Sequence, residues 1–338
     1  MIIQKDTSLK QFNTFNVEAF AKYFCEIQNF DDLEYLKENE QFKNERKLIL
    51  GGGSNILFEN DFNGIVIKNN IGGINIISET DEDIIIEVGA GHDWDKLVEQ
   101  TINSGYYGLE NLSLIPGTVG ASPIQNIGAY GVEVKDVIES VNFVSLENFE
   151  HRTFSNSQCQ FDYRNSIFKN ELKDKLIVTS VLFNLSKVEK TNIEYTALQN
   201  YFSEKRIPKI TANEIRNAVM EIRRSKLPDP QIFGNAGSFF KNPIISNGEY
   251  EKIKSKYPDL NGYKVNDNSI KIPAGWLIEK SGLKGKRFGN VGIYEKQALV
   301  IVNYGNATGV EIVEFSKMIQ NEVEDKFNVK IINEVNII

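Results

Sequence analysis

The sequence predicts a mixed α+β protein built from more than one domain. Its 338 residues exceed the usual size of a single domain and predict two or three of them. Short apolar runs, typical of strands, alternate with segments whose apolar residues recur at helical spacing. The composition turns polar around residues 187–213, where we expect the chain to pass from one domain to another.

The pattern of the first seventy residues predicts a small α/β unit. A helix is predicted over Phe30–Lys37, where Leu33 and Leu36 share one face and acidic residues occupy the first turn. Lys47–Leu50 is a short apolar strand that runs into a glycine-rich turn. Asn63-Gly64 is a turn signal that precedes a further strand over residues 65–67.

Residues 71–188 alternate strands with turns. Asp83–Val88 is strand-like, and Asp93 is placed to cap the helix that follows it. Gly105 fits the end of that helix. Two further strands are predicted over Val137–Leu146 and Leu176–Leu185.

The last third of the chain carries its own helix and strand signals. Thr211 and Glu214 form a capping-box pattern ahead of an amphipathic helix. A strand is predicted over Ala298–Val302, a long amphipathic helix over residues 312–327, and a closing strand over Val329–Ile332.

The stretch Ser113–Val132 is the most unusual part of the sequence. It holds four glycines, two prolines and no charged residue. Disordered segments are rich in charge and poor in apolar residues, whereas this one contains several isoleucines and a tyrosine. We therefore expect an ordered loop whose backbone approaches a ligand closely.

Composition excludes several classes of function. The net charge of −8 argues against nonspecific nucleic-acid binding and against a membrane footprint. Cys25 and Cys159 fit no metal spacing and are expected to be core thiols, while His92 and His151 are too few to suggest a histidine metal site. No metal is expected, and the absence of an apolar leader predicts a cytoplasmic protein.

The turn Gly51–Asn55 resembles a phosphate cradle. Successive small residues form a nest of backbone N–H groups, and Ser54 and Asn55 add donors. No Gly-Lys-Ser/Thr follows, so it is not a Walker A loop. Alone it is equally well an ordinary glycine-rich turn; beside the Ser113–Val132 loop it points to a cofactor that carries a pyrophosphate.

Seven motifs in order along the chain resemble one family, the UDP-N-acetylenolpyruvoylglucosamine reductases of bacterial peptidoglycan synthesis. They are GGGSN (51–55), IPGTVGASPIQNIGAYG (115–131), YRNSIFK (163–169), KLPDP (226–230), NAGSFFKNP (235–243), AGWLIEKSGLKG (274–285) and QALVIVN (297–303). The resemblance spans essentially the whole chain.

The resemblance implies a fold and a division into domains. The fold is two α/β subdomains of the vanillyl-alcohol-oxidase-type FAD-binding fold plus a C-terminal α/β substrate-binding domain. The first subdomain would be residues 1–70, joined by a C-terminal strand over 329–338. The second would be residues 71–210, and the substrate domain residues 211–328.

The resemblance also implies a reaction and its residues. In the family, NADPH reduces FAD, and the enolpyruvyl substrate then takes a hydride on its terminal carbon and a proton on the neighbouring carbon. Ser238 matches the proton donor, Arg164 the arginine that engages the substrate carboxylate, and Glu334 the active-site glutamate.

Further positions match residues that bind cofactor and substrate. For FAD, held without a covalent bond, they are Gly51, Gly52, Gly53, Ser54, Asn55, Pro116, Gly117, Gly120, Ala121, Ser122, Gln125, Asn126, Gly128 and Ala129. For the UDP-sugar substrate they are Tyr130, Tyr195, Lys226, Asn242 and Gln297. Tyr195 resembles the substrate-loop tyrosine of the longer of two subtypes. The partners expected are the two small-molecule substrates, with the protein working as a monomer.

The chain departs from the family pattern at one position, and two other functions are considered. Family members often carry Glu-x-Glu-Val near the C-terminus, but Ile332 occupies the first acidic position here. The alternatives are an alcohol or sugar oxidase of the same FAD fold and a nucleotide-sugar-binding protein without catalysis. An oxidase does not need NAGSFFKNP together with Glu334, and a noncatalytic protein does not need Ser238, Arg164 and Glu334.

Overall fold

The computed structural model describes residues 1–338, apart from the side chain of Gln41. The chain divides into two compact units. The first unit comprises residues 1–7, 21–52 and 63–223, and the second unit comprises residues 8–20, 53–62 and 224–338. The three-domain division drawn from the sequence stays a prediction.

The first unit contains two larger sheets and a two-stranded antiparallel one, Gly128–Ala129 with Val132–Glu133. The four-stranded sheet has the order Ile3–Ser8, Phe20–Ile27, Phe62–Asn69, Lys47–Leu50, and its last two strands are parallel, with Leu50 opposite Lys68. The five-stranded antiparallel sheet has the order His151–Ser155, Ile138–Ser145, Leu176–Ser186, Asp83–Gly89, Ile74–Glu79. The helices are Phe30–Glu38, Glu40–Lys43, Trp94–Asn103, Thr196–Lys205 and Ala212–Lys226, the last of which runs across the boundary at residue 223.

The helix Trp94–Asn103 shows how local sequence sets an element of the first unit. The Asp93 carboxylate accepts a hydrogen bond from the Lys96 N–H, which satisfies an unpaired donor of the first turn. Its apolar face packs Trp94, Leu97 and Val98 into the core below the five-stranded sheet. Gly105 has a φ of 78°, a conformation that suits glycine at a helix end.

The second unit is built from small sheets and three helices around one core. Its strands pair as Ile244–Ser246, Ser269–Lys271 and Tyr263–Asn266; as Arg287–Phe288, Val291–Ile293 and Ile301–Asn303; and as Ile56–Leu57 parallel to Asn336–Ile337. The helices are Asn247–Lys256, Ala274–Lys280 and Gly309–Phe327. Phe239 and Phe240 are fully buried in this core.

Most predicted elements are confirmed, and the fold class is α+β. Three predictions are wrong in detail. Asn63-Gly64 is not a turn but the start of strand Phe62–Asn69, which pairs on both sides. Residues 329–332 form no ladder; Val329 and Ile331 are buried by packing alone, and the closing strand is Asn336–Ile337. The strand placed at Ala298–Val302 begins only at Ile301.

Cys25 and Cys159 are free and buried, as expected, and burial raises the pKa of each thiol to about 12. No helix among the described residues combines the length and the apolar character needed to cross a membrane. Nor do those residues group three or more His, Cys, Asp or Glu side chains as metal ligands.

Candidate active site

The two glycine-rich segments singled out from the sequence meet backbone to backbone in the first unit. A Cβ added to Gly51 would lie 2.7 Å from the Thr118 hydroxyl oxygen, and one added to Gly52 would lie 2.7 Å from the Cα of Gly117. A Cβ on Gly120 would lie 2.5 Å from the Cβ of Ala90. Only glycine permits this approach, so the sequence pattern creates a tightly closed cradle.

Two buried polar side chains of the loop hold it in place. The buried Ser122 hydroxyl donates to the Val119 carbonyl over 2.7 Å. The buried Asn126 amide donates to Glu133 and to the Asp162 carbonyl, and its oxygen accepts the Lys135 N–H. The loop is therefore ordered, as the sequence predicts, and presents backbone rather than these side chains.

Strained residues mark the two ends of the loop. Leu114 and Tyr130 have φ values of 58° and 50°, which non-glycine residues adopt only when their surroundings impose them. The Leu114 N–H donates to the Asp95 carboxylate, and Asp95 also receives two hydrogen bonds from Arg216 at 2.7 and 3.0 Å. Burial alone would raise the pKa of Asp95, but these hydrogen bonds outweigh it and lower the pKa.

Arg164 lies on a tight turn beside the same loop. Its φ of 52° again reflects a conformation imposed by the fold. One terminal nitrogen donates to the Gly128 carbonyl over 2.6 Å, and the other lies 3.4 Å from the Asn126 carbonyl oxygen. These bonds fix the orientation of the planar guanidinium. A planar guanidinium suits a carboxylate because the two can form paired hydrogen bonds.

Tyr130 and Tyr195 are in contact. Their rings meet edge to face with centroids 5.5 Å apart, and burial raises the pKa of Tyr130. The Asn111 side-chain amide donates to the Tyr130 and Asn192 carbonyls, at 3.0 Å each, so it links the loop to the segment that carries Tyr195. Tyr195 itself is 47% exposed and precedes the helix Thr196–Lys205.

Arg223 adds a cation near Tyr130. Its Nε is buried and has no hydrogen-bond partner among the described residues. Burial lowers the pKa of this guanidinium, while Tyr130 and Asp95 favour its charge and Arg164 opposes it. A buried donor without a partner is rare in proteins, so it marks a place where a ligand atom can bind.

Ser238 lies in the second unit, on an extended segment held from both sides. The Phe239 N–H donates to the Leu299 carbonyl over 2.8 Å, and the Phe239 carbonyl accepts the Glu334 N–H over 2.7 Å. Gly237 has a φ of 67° and sets the direction of the chain into Ser238. In the described structure the Ser238 hydroxyl makes no hydrogen bond, and the side chain is partly exposed.

The second unit brings Glu334 and Asn55 into the same neighbourhood as Ser238. The backbone pairing of Phe239 with Glu334 joins the two segments, and the Asn55 side chain donates to the Glu334 carbonyl over 3.3 Å. Gly53, Ser54 and Asn55 thus belong to the second unit, whereas Gly51 and Gly52 belong to the first. A Cβ on Gly53 would lie 2.0 Å from the Phe12 carbonyl oxygen.

Asn242 and Gln297 meet at the start of one helix of the second unit. The Asn242 oxygen accepts the Ala274 N–H over 2.9 Å, and a Cβ on Gly275 would lie 3.5 Å from the Gln297 side-chain oxygen. Lys226 is exposed at the end of helix Ala212–Lys226. Of the remaining residues expected to bind cofactor, Pro116 and Ala121 are exposed, while Gln125 and Ala129 are half-buried.

Comparison with known proteins identifies the family. The model of the UDP-N-acetylenolpyruvoylglucosamine reductase C-terminal domain matches residues 229–338, and an FAD binding domain model matches residues 32–148. A UDP-N-acetylenolpyruvoylglucosamine reductase of Flavobacterium johnsoniae is 49% identical over 340 residues, with 100% of both chains covered. One from Chromobacterium violaceum is 43% identical, with 96% of each chain covered.

The chain belongs to the UDP-N-acetylenolpyruvoylglucosamine reductase family. It is an FAD-dependent oxidoreductase with an FAD-binding domain of the vanillyl-alcohol-oxidase type. The fold also matches the crystal structure of the Thermus caldophilus reductase, with a TM-score of 0.68 at 22% identity, covering 100% of this chain and 99% of that one.

The first unit of this reductase-family member fits FAD. At Gly51, Gly52 and Gly117 the two glycine-rich segments pack so closely that only glycine fits, which holds their backbone groups in a fixed arrangement suited to a phosphate. The unpartnered Arg223 Nε supplies a buried donor and positive charge. FAD, when bound, carries hydride equivalents, and these residues match a large anionic cofactor that must be held close to the backbone.

Sequence reasoning missed Arg223, Thr118 and Asn111. Arg223 falls on a helix rich in charged residues, where a half-buried arginine cannot be told from its exposed neighbours by sequence. Thr118 lies inside the recognised loop, but its contact with Gly51 depends on tertiary structure. Asn111 lies within the short 3₁₀ segment Glu110–Leu112, which has no sequence pattern of its own, and only its burial would have identified it.

Proposed function

We propose that this protein reduces the enolpyruvyl group of UDP-N-acetylglucosamine enolpyruvate to give UDP-N-acetylmuramate, with NADPH as the source of electrons, in peptidoglycan precursor synthesis. The observation that carries the proposal is the uncommitted Ser238 hydroxyl, held on a rigid segment paired with Glu334. The turn Gly51–Asn55 and the loop Ser113–Val132 would hold FAD, which when bound would supply the hydride that originates from NADPH. Proton delivery and charge stabilisation would then come from the chain itself.

Three side chains take the chemical roles. Ser238 gives a proton to the carbon beside the substrate carboxylate, a task that needs a donor within hydrogen-bond reach. Serine is a weak acid, so a rigid position must compensate, and backbone bonds on both sides of Phe239 provide it. Arg164 binds the carboxylate, on which negative charge builds, and Glu334 polarises the donor.

The nucleotide end of the substrate is assigned to Tyr130, Tyr195, Lys226, Asn242 and Gln297. Lys226 carries an exposed charge suited to a diphosphate. Tyr195 is about half exposed, and its ring meets that of Tyr130 edge to face, which supports its assignment to the substrate. We assign the chain to the longer subtype of the family on this tyrosine.

The cofactor is assigned to the glycine-rich turn and the loop, without a covalent bond. Neither segment contains His or Cys, and His92, the nearest histidine, hydrogen-bonds through Nε2 to Gln100 over 3.0 Å. We propose that the protein acts as a cytoplasmic monomer on small molecules. We also retain the assignment of residues 1–70 and 71–210 to FAD and of residues 211–328 to substrate.

Anaerobic stopped-flow spectroscopy of the FAD-loaded protein tests the function. NADPH should bleach the flavin absorbance, and UDP-N-acetylglucosamine enolpyruvate should restore it in a second, separate phase. A flavin that is reduced by NADPH but reoxidised only by oxygen would contradict the proposed substrate. Reduction by an alcohol or sugar with rapid oxygen consumption would instead identify an oxidase.

A further inference from the structure

Lys68 is a half-buried lysine next to the glycine-rich turn that the proposed function does not use. It lies on strand Phe62–Asn69, opposite Leu50, the last residue before the turn. Its ammonium donates a hydrogen bond to the Gly51 carbonyl oxygen. This is its one hydrogen bond among the described residues, and Glu26 favours its charge from a distance.

The Gly51 carbonyl controls the direction of the neighbouring N–H. A trans peptide unit is planar, so the carbonyl of Gly51 and the N–H of Gly52 point in opposite directions. Glycine on both sides imposes almost no steric preference on the rotation of this plane. A cation that holds the carbonyl therefore selects one orientation of the Gly52 N–H.

We infer that Lys68 is a positioning residue that locks the Gly51–Gly52 peptide so that the Gly52 N–H faces the FAD diphosphate. The inference rests on the proposed assignment of this turn to the cofactor. Gly117 packs against the backbone of Gly52, since its Cα would lie 2.7 Å from a Cβ added to Gly52. Positive charge at the carbonyl also polarises the peptide and makes its N–H a stronger donor.

Lys47 is a matched control on the neighbouring strand. It is also half-buried, and burial lowers the pKa of both ammonium groups. Lys47 donates to the backbone carbonyls of Lys43 and Glu45 at 3.2 and 3.1 Å. It lies at the opposite end of strand Lys47–Leu50, so it has similar chemistry without contact with the turn.

The experiment compares four full-length variants after removal of flavin: Lys68→Met, Lys68→Arg, Lys47→Met and Gly52→Ala. The dissociation constant of FAD is measured by quenching of flavin fluorescence, and hydrogen exchange is measured on the peptide that covers residues 48–57. We expect Lys68→Met to raise the dissociation constant roughly tenfold, the effect of one lost charged hydrogen bond, and to speed exchange in the flavin-free protein. Lys68→Arg should restore both, and Lys47→Met should change neither.

The outcomes separate the inference from the assignment beneath it. If Gly52→Ala binds FAD as the unchanged protein does, both the diphosphate assignment and the role of Lys68 are wrong. If Gly52→Ala weakens binding but Lys68→Met does not, or if Lys47→Met weakens it equally, only the role of Lys68 is wrong. Should Lys68→Met not fold, Lys68→Gln, which lacks the charge and is one atom shorter, replaces it under the same expectations.

Discussion

The loop Ser113–Val132 and the segment Asn235–Lys241 both contain glycine and serine, but they use these residues in opposite ways. In the loop, the Ser122 hydroxyl is buried and bound to a backbone carbonyl. In the segment, backbone bonds of Phe239 to Leu299 and Glu334 supply the rigidity, and the Ser238 hydroxyl makes no hydrogen bond within the described structure.

This difference separates a surface that binds from a group that reacts. A cofactor held by backbone groups needs the loop shape above all, so side chains are used to impose that shape. A proton donor needs a side chain that is free to contact the substrate, so backbone hydrogen bonds must hold its segment in place. Two serines in similar sequence surroundings should therefore respond differently to the same substitution.

The largest effect should follow Ser238→Ala. Loss of the proton donor should slow reoxidation of reduced flavin by the enolpyruvyl substrate about a thousandfold, within the range for a catalytic acid. Reduction by NADPH and thermal stability should not change. Stopped-flow spectroscopy of each half-reaction measures both rates.

Ser122→Ala is the matched control for that substitution. Loss of its buried hydrogen bond should lower the free energy of unfolding by about 1 kcal/mol. Because that hydroxyl is bound to the Val119 carbonyl, substrate-driven reoxidation of the FAD-saturated variant should not change. If the two serine variants showed the same kinetic defect, the contrast between the loop and the segment would be wrong.

Arg164→Lys should give the next largest effect. A lysine cannot hold the Gly128 and Asn126 carbonyls and also present a planar fork to a carboxylate. We expect the substrate concentration at half-maximal rate to rise about 30-fold, equivalent to about 2 kcal/mol. Steady-state kinetics measure it, with Arg152→Lys, an exposed arginine paired with Glu150, as the unaffected control. If the half-saturation constant did not change, Arg164 would not be a residue that binds the substrate carboxylate.

Gly120→Ala should destabilise the close packing of the Ser113–Val132 loop against Ala90. The new Cβ would lie 2.5 Å from that of Ala90, which overpacks the contact and should lower the free energy of unfolding by roughly 1–2 kcal/mol. Urea unfolding and FAD titration measure the result. Gly248→Ala, in the first turn of helix Asn247–Lys256 and with no atom within 4 Å of the added Cβ, should lower neither the free energy of unfolding nor the affinity for FAD. If both variants lost the same free energy of unfolding, close backbone packing would not be the reason for the glycine at position 120.

Asp95→Asn should give the smallest effect and a defined pH dependence. The variant loses charged hydrogen bonds to Arg216, which should lower the free energy of unfolding at pH 7 by about 1 kcal/mol. The folded-state pKa of Asp95 lies below the unfolded value of about 3.9. The stabilisation is therefore fully present above that value and lost as pH falls through the folded pKa. Urea unfolding should show the two proteins converging as the pH falls from about 4 through the folded pKa of Asp95, and a difference that persisted below that pKa would exclude the charge as its cause.

Sequence patterns predicted those features that depend on neighbours along the chain. The cap at Asp93, the stop at Gly105 and the ordered loop follow from local chemistry and are confirmed. The strand expected at Val329–Ile332 is absent because pairing needs a partner strand, which the apolar pattern does not specify. Arg223 was missed for the same reason, since the burial of its Nε depends on neighbours that are distant in sequence.

The two buried thiols have a practical consequence. With pKa values of about 12, Cys25 and Cys159 carry almost no thiolate at neutral pH and should resist alkylating reagents in the folded protein. A single cysteine introduced at an exposed position such as Tyr195 would then be the main site of labelling. The natural protein is thus already a clean background for attaching a fluorophore or spin label.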